Sequence, residues 1–270
     1  MGERQFDIIV NGSAVRVSER GAGAPLVLTY GYGGVPARSA FADELAKTRR
    51  VFTIALPGQQ GSERGHDSLH TPLDWITASL DAIEAAVGAS EPIDLVAQSV
   101  SGMIAGEIAA IAPHWLRSVT LIGSLGLFDD DVPTRNLFAE SPPKRVQFMT
   151  RRPDLFKATY GASPEASDAE RHEHDVIAYR ADEATARLMW PFGDVGLKRR
   201  LHRVKAPVLL IWGGQDELVP AHYASRFAAK LRSPTRIEIV AGAGHLVTLE
   251  APEECARLVA AFIQEPALAA

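Results

Sequence analysis

The chain has 270 residues, 46% hydrophobic and 23% charged, with a formal net charge of −5, an ordinary globular balance that excludes a disordered chain. It carries no basic stripe and no continuous apolar run near ~18 residues, so neither nucleic acid nor a membrane is an expected partner. A single cysteine, Cys255, excludes a disulfide within the chain and suits a reducing compartment.

The first residues open no apolar run, so no signal peptide is expected, and the expected location is the cytoplasm. Segments 6–10 and 14–17 flank Asn11-Gly12, a dipeptide suited to the positive φ angles of a two-residue hairpin turn. Short, almost wholly apolar runs follow at 26–30, 51–56, 93–97, 119–122 and 208–212, and a last one at 237–240. Strands buried on both faces of a parallel sheet read this way. Between them lie helical patterns. Thr71-Pro72 predicts an N-cap followed by proline at the first helical position, with Ile76, Leu80, Ile83 and Val87 on one face. Pro252 opens a final helix with Leu258, Val259, Phe262 and Ile263 inward and Cys255 on the same buried pattern. Alternating strand and helix predict an α/β fold, a mostly parallel sheet covered on both faces.

The alternation breaks once, between the runs at 119–122 and 208–212. Residues 127–203 hold helical patterns but no convincing strand, which predicts an inserted helical cap on a core formed by 1–126 and 204–270.

Segment 93–106 reads as a buried strand, a very tight turn and a helix rich in small residues, with Ser99 at the turn. A nucleophile elbow needs this arrangement: the serine is projected out of the sheet, and residues two before and two after it must be small. Those residues are Ala97 and Ser101. Centring the turn on Ser101 would put Met103 at a position that must be small, which rejects that register. After the first apolar run comes Thr29-Tyr30-Gly31-Tyr32-Gly33-Gly34, whose glycines allow close backbone approach. The segment matches neither phosphate-binding glycine pattern. The run at 208–212 continues into Gly213-Gly214-Gln215-Asp216-Glu217, and the last strand into Ala241-Gly242-Ala243-Gly244-His245-Leu246.

With these motifs the chain resembles the α/β-hydrolase superfamily, in the serine hydrolase branch with an inserted helical cap, over nearly its whole length. The resemblance implies Ser99 as nucleophile, His245 as its base and Asp216 as the acid orienting the base, with Glu217 the rival for the last role. The order Ser, Asp, His is that of this fold. The elbow pattern G-x-S-x-G is met with Ala97 and Ser101 in place of glycine, and the usual histidine of the first glycine loop is Tyr30. Carried over, the backbone N–H groups of Tyr32 and Val100 form the oxyanion hole. Aspartate-nucleophile relatives are excluded by the serine.

The chemistry wants this set. A serine hydroxyl is a poor nucleophile until a base takes its proton, histidine titrates near neutral pH, and a buried carboxylate fixes the imidazole tautomer. The implied activity is hydrolysis of a small-to-medium hydrophobic carboxylic ester, lactone or thioester through an acyl-serine. A C–C bond hydrolase of ring-cleavage products and a non-catalytic ligand receptor are the alternatives. The expected partner is a small hydrophobic substrate, with no metal or organic cofactor. Candidate pocket residues are Tyr30, Gln98, Phe128, Trp190 and Leu246; Trp190-Pro191-Phe192 also reads as cap packing or a hinge. His172-Glu173-His174-Asp175 reads as a solvated cap helix, since residues two apart on a helix point to different faces.

Overall fold

A computed structural model of the chain describes residues 2–88 and 91–264. Its strands are β1 (Arg4–Val10), β2 (Ser13–Arg20), β3 (Pro25–Thr29), β4 (Arg50–Ile54), β5 (Ile93–Gln98), β6 (Leu116–Ile122), β7 (Val208–Gly213) and β8 (Thr235–Val240). Its helices are α1 (Ala40–Leu45), α2 (Pro72–Val87), α3 (Val100–Ile111), α4 (Pro142–Met149), α5 (Pro153–Tyr160), α6 (Asp168–Met189), α7 (Tyr223–Ala228), α8 (Val247–Glu250) and α9 (Pro252–Ile263). Every strand expected from the sequence is present, most of them longer by one to three residues at an end.

The strands form one eight-stranded sheet in the order β1-β2-β4-β3-β5-β6-β7-β8. The β1–β2 and β2–β4 pairs are antiparallel, and all others are parallel. At the hairpin, Asn11 and Gly12 take φ of 49° and 78°, and Val10 pairs with Ser13. Two consecutive positive φ angles are what a type I′ turn demands.

The central strands alternate between two apolar layers. Along β7, Val208, Leu210 and Trp212 face the layer that holds Ile104 and Ile108 of α3. Leu209 and Ile211 face the layer that holds Phe41 of α1 and Val259 of α9. Burial on both faces explains why these strands read as unbroken apolar runs. At the edges the pattern loosens: Ile9 in β1 and Ile239 in β8 are exposed. Helix α2 begins with Thr71 as N-cap and Pro72 in the first turn, as its sequence predicted, and Asp74 completes a capping box in which it and Thr71 each bond the other's backbone.

The chain leaves β3 for β4 on one side and returns to β5 on the other. Adjacent connections therefore depart in opposite directions at the carboxyl ends of β3 and β5, the switch point where open α/β sheets place their ligand crevices.

Between β6 and β7 the chain forms α4, α5 and α6 and short 3-10 turns. Within this stretch Leu197 and Leu201 are fully buried, and the turn Leu201–Arg203 packs on α3. Among the described residues no helix is long and apolar enough to cross a membrane.

Leu210 is fully buried in a central strand, whereas Ile9 is 67% exposed. In urea unfolding, Leu210→Ala is expected to lower stability by about 2–5 kcal/mol. Ile9→Ala should stay within about 0.5 kcal/mol of the parent. Equal losses at the two sites would contradict this layering.

Candidate active site

Ser99 sits between β5 and α3 with φ 59° and ψ −126°, a positive φ that a non-glycine residue rarely adopts. The surroundings hold it there. Its N–H donates to the Ile122 carbonyl of β6 at 2.9 Å, and its carbonyl accepts from the N–H groups of Gly102 and Leu125. Ala97 and Ser101 are buried on either side, so the turn forms without glycine at those positions. Ser101 adds a tie that glycine could not make: its hydroxyl donates to the Tyr30 carbonyl at 2.5 Å.

That bond joins the elbow to the loop after β3. A Cβ on Gly31 would come 2.6 Å from the Ser99 Cβ and 2.9 Å from the Val100 nitrogen, so only glycine fits there. The Gly31 carbonyl is held by the Gln59 amide at 3.0 Å and the Gly34 N–H at 3.1 Å. Among the described residues, no protein acceptor takes the N–H of Tyr32 or of Val100. The second is a first-turn helix donor, which has no partner inside the helix.

His245 lies in the loop after β8 and is fully buried. Its Nδ1 is 2.8 Å from Asp216 Oδ2, and its Nε2 is 2.8 Å from the Ser99 hydroxyl. A carboxylate only accepts, so Nδ1–H is the donor to Asp216, and Nε2 is left to accept from Ser99. The other Asp216 oxygen accepts the N–H groups of Leu218 at 2.9 Å and Val219 at 2.8 Å. Glu217, the rival in sequence, instead faces Arg151 at 2.8 Å and is half-exposed. A serine hydroxyl so placed can lose its proton to the imidazole as it attacks an electrophile.

The residues expected to line a pocket lie elsewhere. A cleft of about 660 Å³ opens among α4, α5 and α6, lined by Tyr32, Gly33, Val146, Phe156, Tyr160 and Ile177 among others. Of the predicted site residues only Tyr32 reaches it. Tyr30 turns the other way: its hydroxyl bonds Ser39 at the N-cap of α1 at 2.5 Å, and burial pushes its phenol above the usual range. Gln98 is spent on the histidine loop, donating to the His245 carbonyl at 3.3 Å and accepting from Thr248 at 2.5 Å. Phe128 is half-buried, edge-on to Phe192 with centroids 6.4 Å apart. Trp190, just past α6, is 66% exposed. Leu246 packs in the core with its N–H on the Met149 carbonyl.

Sequence reasoning missed the supports. Gln59 and Ser101 position the glycine loop, and Thr248 and Glu250 hold the histidine loop, the last by accepting the Gly244 N–H at 3.1 Å. Ser101 is marked only as a small residue of the elbow, not as a donor, and the other three lie in no motif that marks them. Of the two histidines of α6, His174 bonds the Tyr160 carbonyl at 2.9 Å and His172 is exposed, so they diverge. A second group, His66, Asp67 and Glu183, comes within 4.8 Å. Arg64 pairs with Asp67 at 2.9 Å and Arg187 with Glu183 at 2.6 Å, so these carboxylates already face cations.

The fold and this geometry define a class. The model of the alpha/beta hydrolase family matches residues 20–258, and the chain belongs to that family. It is 26% identical to a 2-hydroxymuconate semialdehyde hydrolase of Pseudomonas sp. (strain CF600), over 98% of this chain and 95% of the relative. It is 25% identical to monoacylglycerol lipase abhd6-B of Xenopus laevis, over 81% of this chain and 68% of the relative. Among solved structures, a membrane phospholipase A described as a bacterial virulence factor superposes with a TM-score of 0.76 at 20% identity, covering 97% of this chain and 86% of the other.

Gly31→Ala is expected to cost about 1–3 kcal/mol of stability in urea unfolding, the usual penalty of overpacking. A stability equal to the parent's would mean that the glycine loop does not press on Ser99.

Proposed function

We propose that the chain is a serine hydrolase cleaving a small-to-medium hydrophobic carboxylic ester, lactone or thioester. The observation that carries this reading is the buried relay Ser99–His245–Asp216, with both contacts at 2.8 Å. Ser99 Oγ attacks the acyl carbon while its proton passes to His245 Nε2. The carbonyl oxygen becomes an oxyanion and accepts from the free N–H groups of Tyr32 and Val100. His245 then returns the proton to the departing alkoxide or thiolate, which leaves an acyl-Ser99. Water repeats the sequence: its proton goes to His245, its oxygen bonds the acyl carbon, and Ser99 departs with the proton. Asp216 stabilises the imidazolium in each half and holds the tautomer.

In this reading 127–203 acts as a helical cap whose α4, α5 and α6 supply the substrate cleft. The cleft's volume lies within the usual range for small-molecule sites, and its apolar side chains favour a hydrophobic group. One comparison favours a second reading. The similarity to 2-hydroxymuconate semialdehyde hydrolase runs over almost the whole of both chains, which supports a ring-cleavage-product hydrolase using the same three residues.

A fluorophosphonate probe is expected to label Ser99 stoichiometrically, and Ser99→Ala to remove both labelling and hydrolysis. Intact protein that takes no label would end the hydrolase reading. A panel of esters, lactones, thioesters and a vinylogous diketone separates the two substrate classes by which member turns over fastest.

Asp216→Asn should lower turnover by about 10⁴-fold with the fold retained, because the wrong imidazole tautomer then faces Ser99. Near-parental turnover would show that Asp216 is not the orienting acid.

A further inference from the structure

The Ser99 hydroxyl and the cleft do not meet. Ser99 is 1% exposed and is not part of the cleft wall, which on the side of the core is lined by Tyr32 and Gly33 with Gln59 and Gln60. Residues 31–33 stand between the two. Gly31 presses on Ser99 and Val100, and Gly33 lies under the Tyr160 ring, which itself lines the cleft. A molecule held among α4, α5 and α6 is therefore in contact with Tyr32 and out of contact with Ser99.

One charged group packs on that side chain, and a second, on a different helix, anchors the first. The Arg145 guanidinium of α4 lies 5.4 Å from the Tyr32 ring centroid. Its Nη2 donates to Asp182 Oδ2 of α6 at 2.6 Å. Burial first, and then the negative charge of Asp182, push the Tyr32 phenol up, while Arg145 opposes them. A cation over an aromatic face is attracted more strongly where water is excluded, and Arg145 is 6% exposed. Its Nε, however, is buried without a hydrogen-bond partner. An unsatisfied buried donor raises the free energy of the closed arrangement. A donor group of water or ligand placed beside Arg145 cannot satisfy that Nε, but an acceptor can, so this position favours a polar neighbour.

We propose that the Tyr32 side chain is the gate between the cleft and Ser99, latched by the Arg145–Asp182 pair, so that these three residues set the size of acyl group admitted. The inference rests on the reading of Ser99 as nucleophile. It separates two duties within one residue. The Tyr32 backbone must stay beside Ser99 to present its N–H, while its ring turns aside once released by Arg145. Acyl groups narrow enough to pass the ring do not need that release, and wide ones do.

The test compares two p-nitrophenyl phosphonates that differ only in the alkyl group on phosphorus, methyl or a branched hexyl. Each reacts by forming the Ser99 Oγ–P bond and breaking the bond to p-nitrophenolate, with the serine proton passing to His245. Release of p-nitrophenolate gives both rates. Their ratio, bulky over small, cancels any general damage to Ser99, His245 or the oxyanion site, because both probes need all of these. Relative to the parent, Tyr32→Ala should raise the ratio by about tenfold or more, a normal size for apolar steric discrimination. Asp182→Asn, which keeps the shape but removes the latch charge, should raise it several-fold, and Tyr32→Phe, which keeps the ring under Arg145, should leave it near the parent's. An unchanged ratio in Tyr32→Ala overturns the gate while leaving the hydrolase reading intact. A rise in Tyr32→Ala with no change in Asp182→Asn supports the gate and overturns the latch. Parent protein that reacts with neither probe overturns the inference together with the reading beneath it.

Discussion

Parallel pairing of β3 with β5 is the constraint on which the site depends. Thr29 and Ala97 are in register across that pair, so the next residues of both chains leave the sheet side by side. The glycine loop and the elbow are thereby forced into contact, Gly31 against Ser99, with no room for a side chain between them. On its other flank the elbow is tied to β6 through the Ser99 N–H and the Ile122 carbonyl. A serine at φ 59° carries strain of about 1–3 kcal/mol, and such strain persists only where neighbours over-determine the conformation. Here those neighbours are a strand on each side and a helix begun at the next residue.

The remaining members of the relay arrive from the same end of the sheet. Asp216 follows β7 and His245 follows β8, so the two loops meet Ser99 by strand order alone. Distance then depends on how firmly each loop is held. Asp216 spends one carboxylate oxygen on two backbone N–H groups, which leaves the other a single direction in which to face His245. The histidine loop is gripped by Gln98, which donates to the His245 carbonyl and is itself held by the Thr248 hydroxyl, and by Glu250 through the Gly244 N–H. Buried polar groups that are fully paired rigidify their surroundings, and those left unpaired are costly. The relay is of the first kind; the Arg145 side chain, with one donor unpaired, is of the second.

What could be read from the sequence follows from this division. Ser99, Asp216 and His245 sit at strand ends, and strands buried on both faces announce themselves as apolar runs. The relay was therefore legible once the runs were aligned with a tight small-residue turn and two loops. Tyr30 and Gln98 were not. Each flanks a motif, which suggested a pocket, but their side chains turn toward Ser39 and Thr248, and the second lies 150 residues away in the chain. Helix α1, of six residues, is too short to give a periodic signal, yet its N-cap receives the Tyr30 hydroxyl. The cleft was hidden for a different reason: its walls come from helices whose mutual placement no local pattern encodes. Trp190, large and apolar, reads as a wall residue but lies just beyond α6, where the chain faces solvent.

Helix α6 shows how such a segment can stand without a core of its own. It runs for 22 residues from a capping box at Ser167 and Glu170, and its buried side chains, Ala184, Thr185, Leu188 and Met189, all fall in its last two turns. Elsewhere it is attached by polar ties, Arg180 to the Ser62 carbonyl at 2.8 Å and Glu183 to His66 at 3.1 Å. Half-exposed charged contacts such as Arg187–Glu183 contribute little each, about 0–1 kcal/mol. Stability in such an element is lower than in the sheet, because few apolar contacts must be lost to open it locally. The chemistry and the cleft thus rest on parts of unequal rigidity. Ser99, His245 and Asp216 hang from a sheet buried on both faces, while the cleft is walled by helices such as α6, whose buried side chains lie at one end. Residues of the walls can change, or move, without displacing the three side chains of the relay, and Tyr32 is the point where the two parts touch.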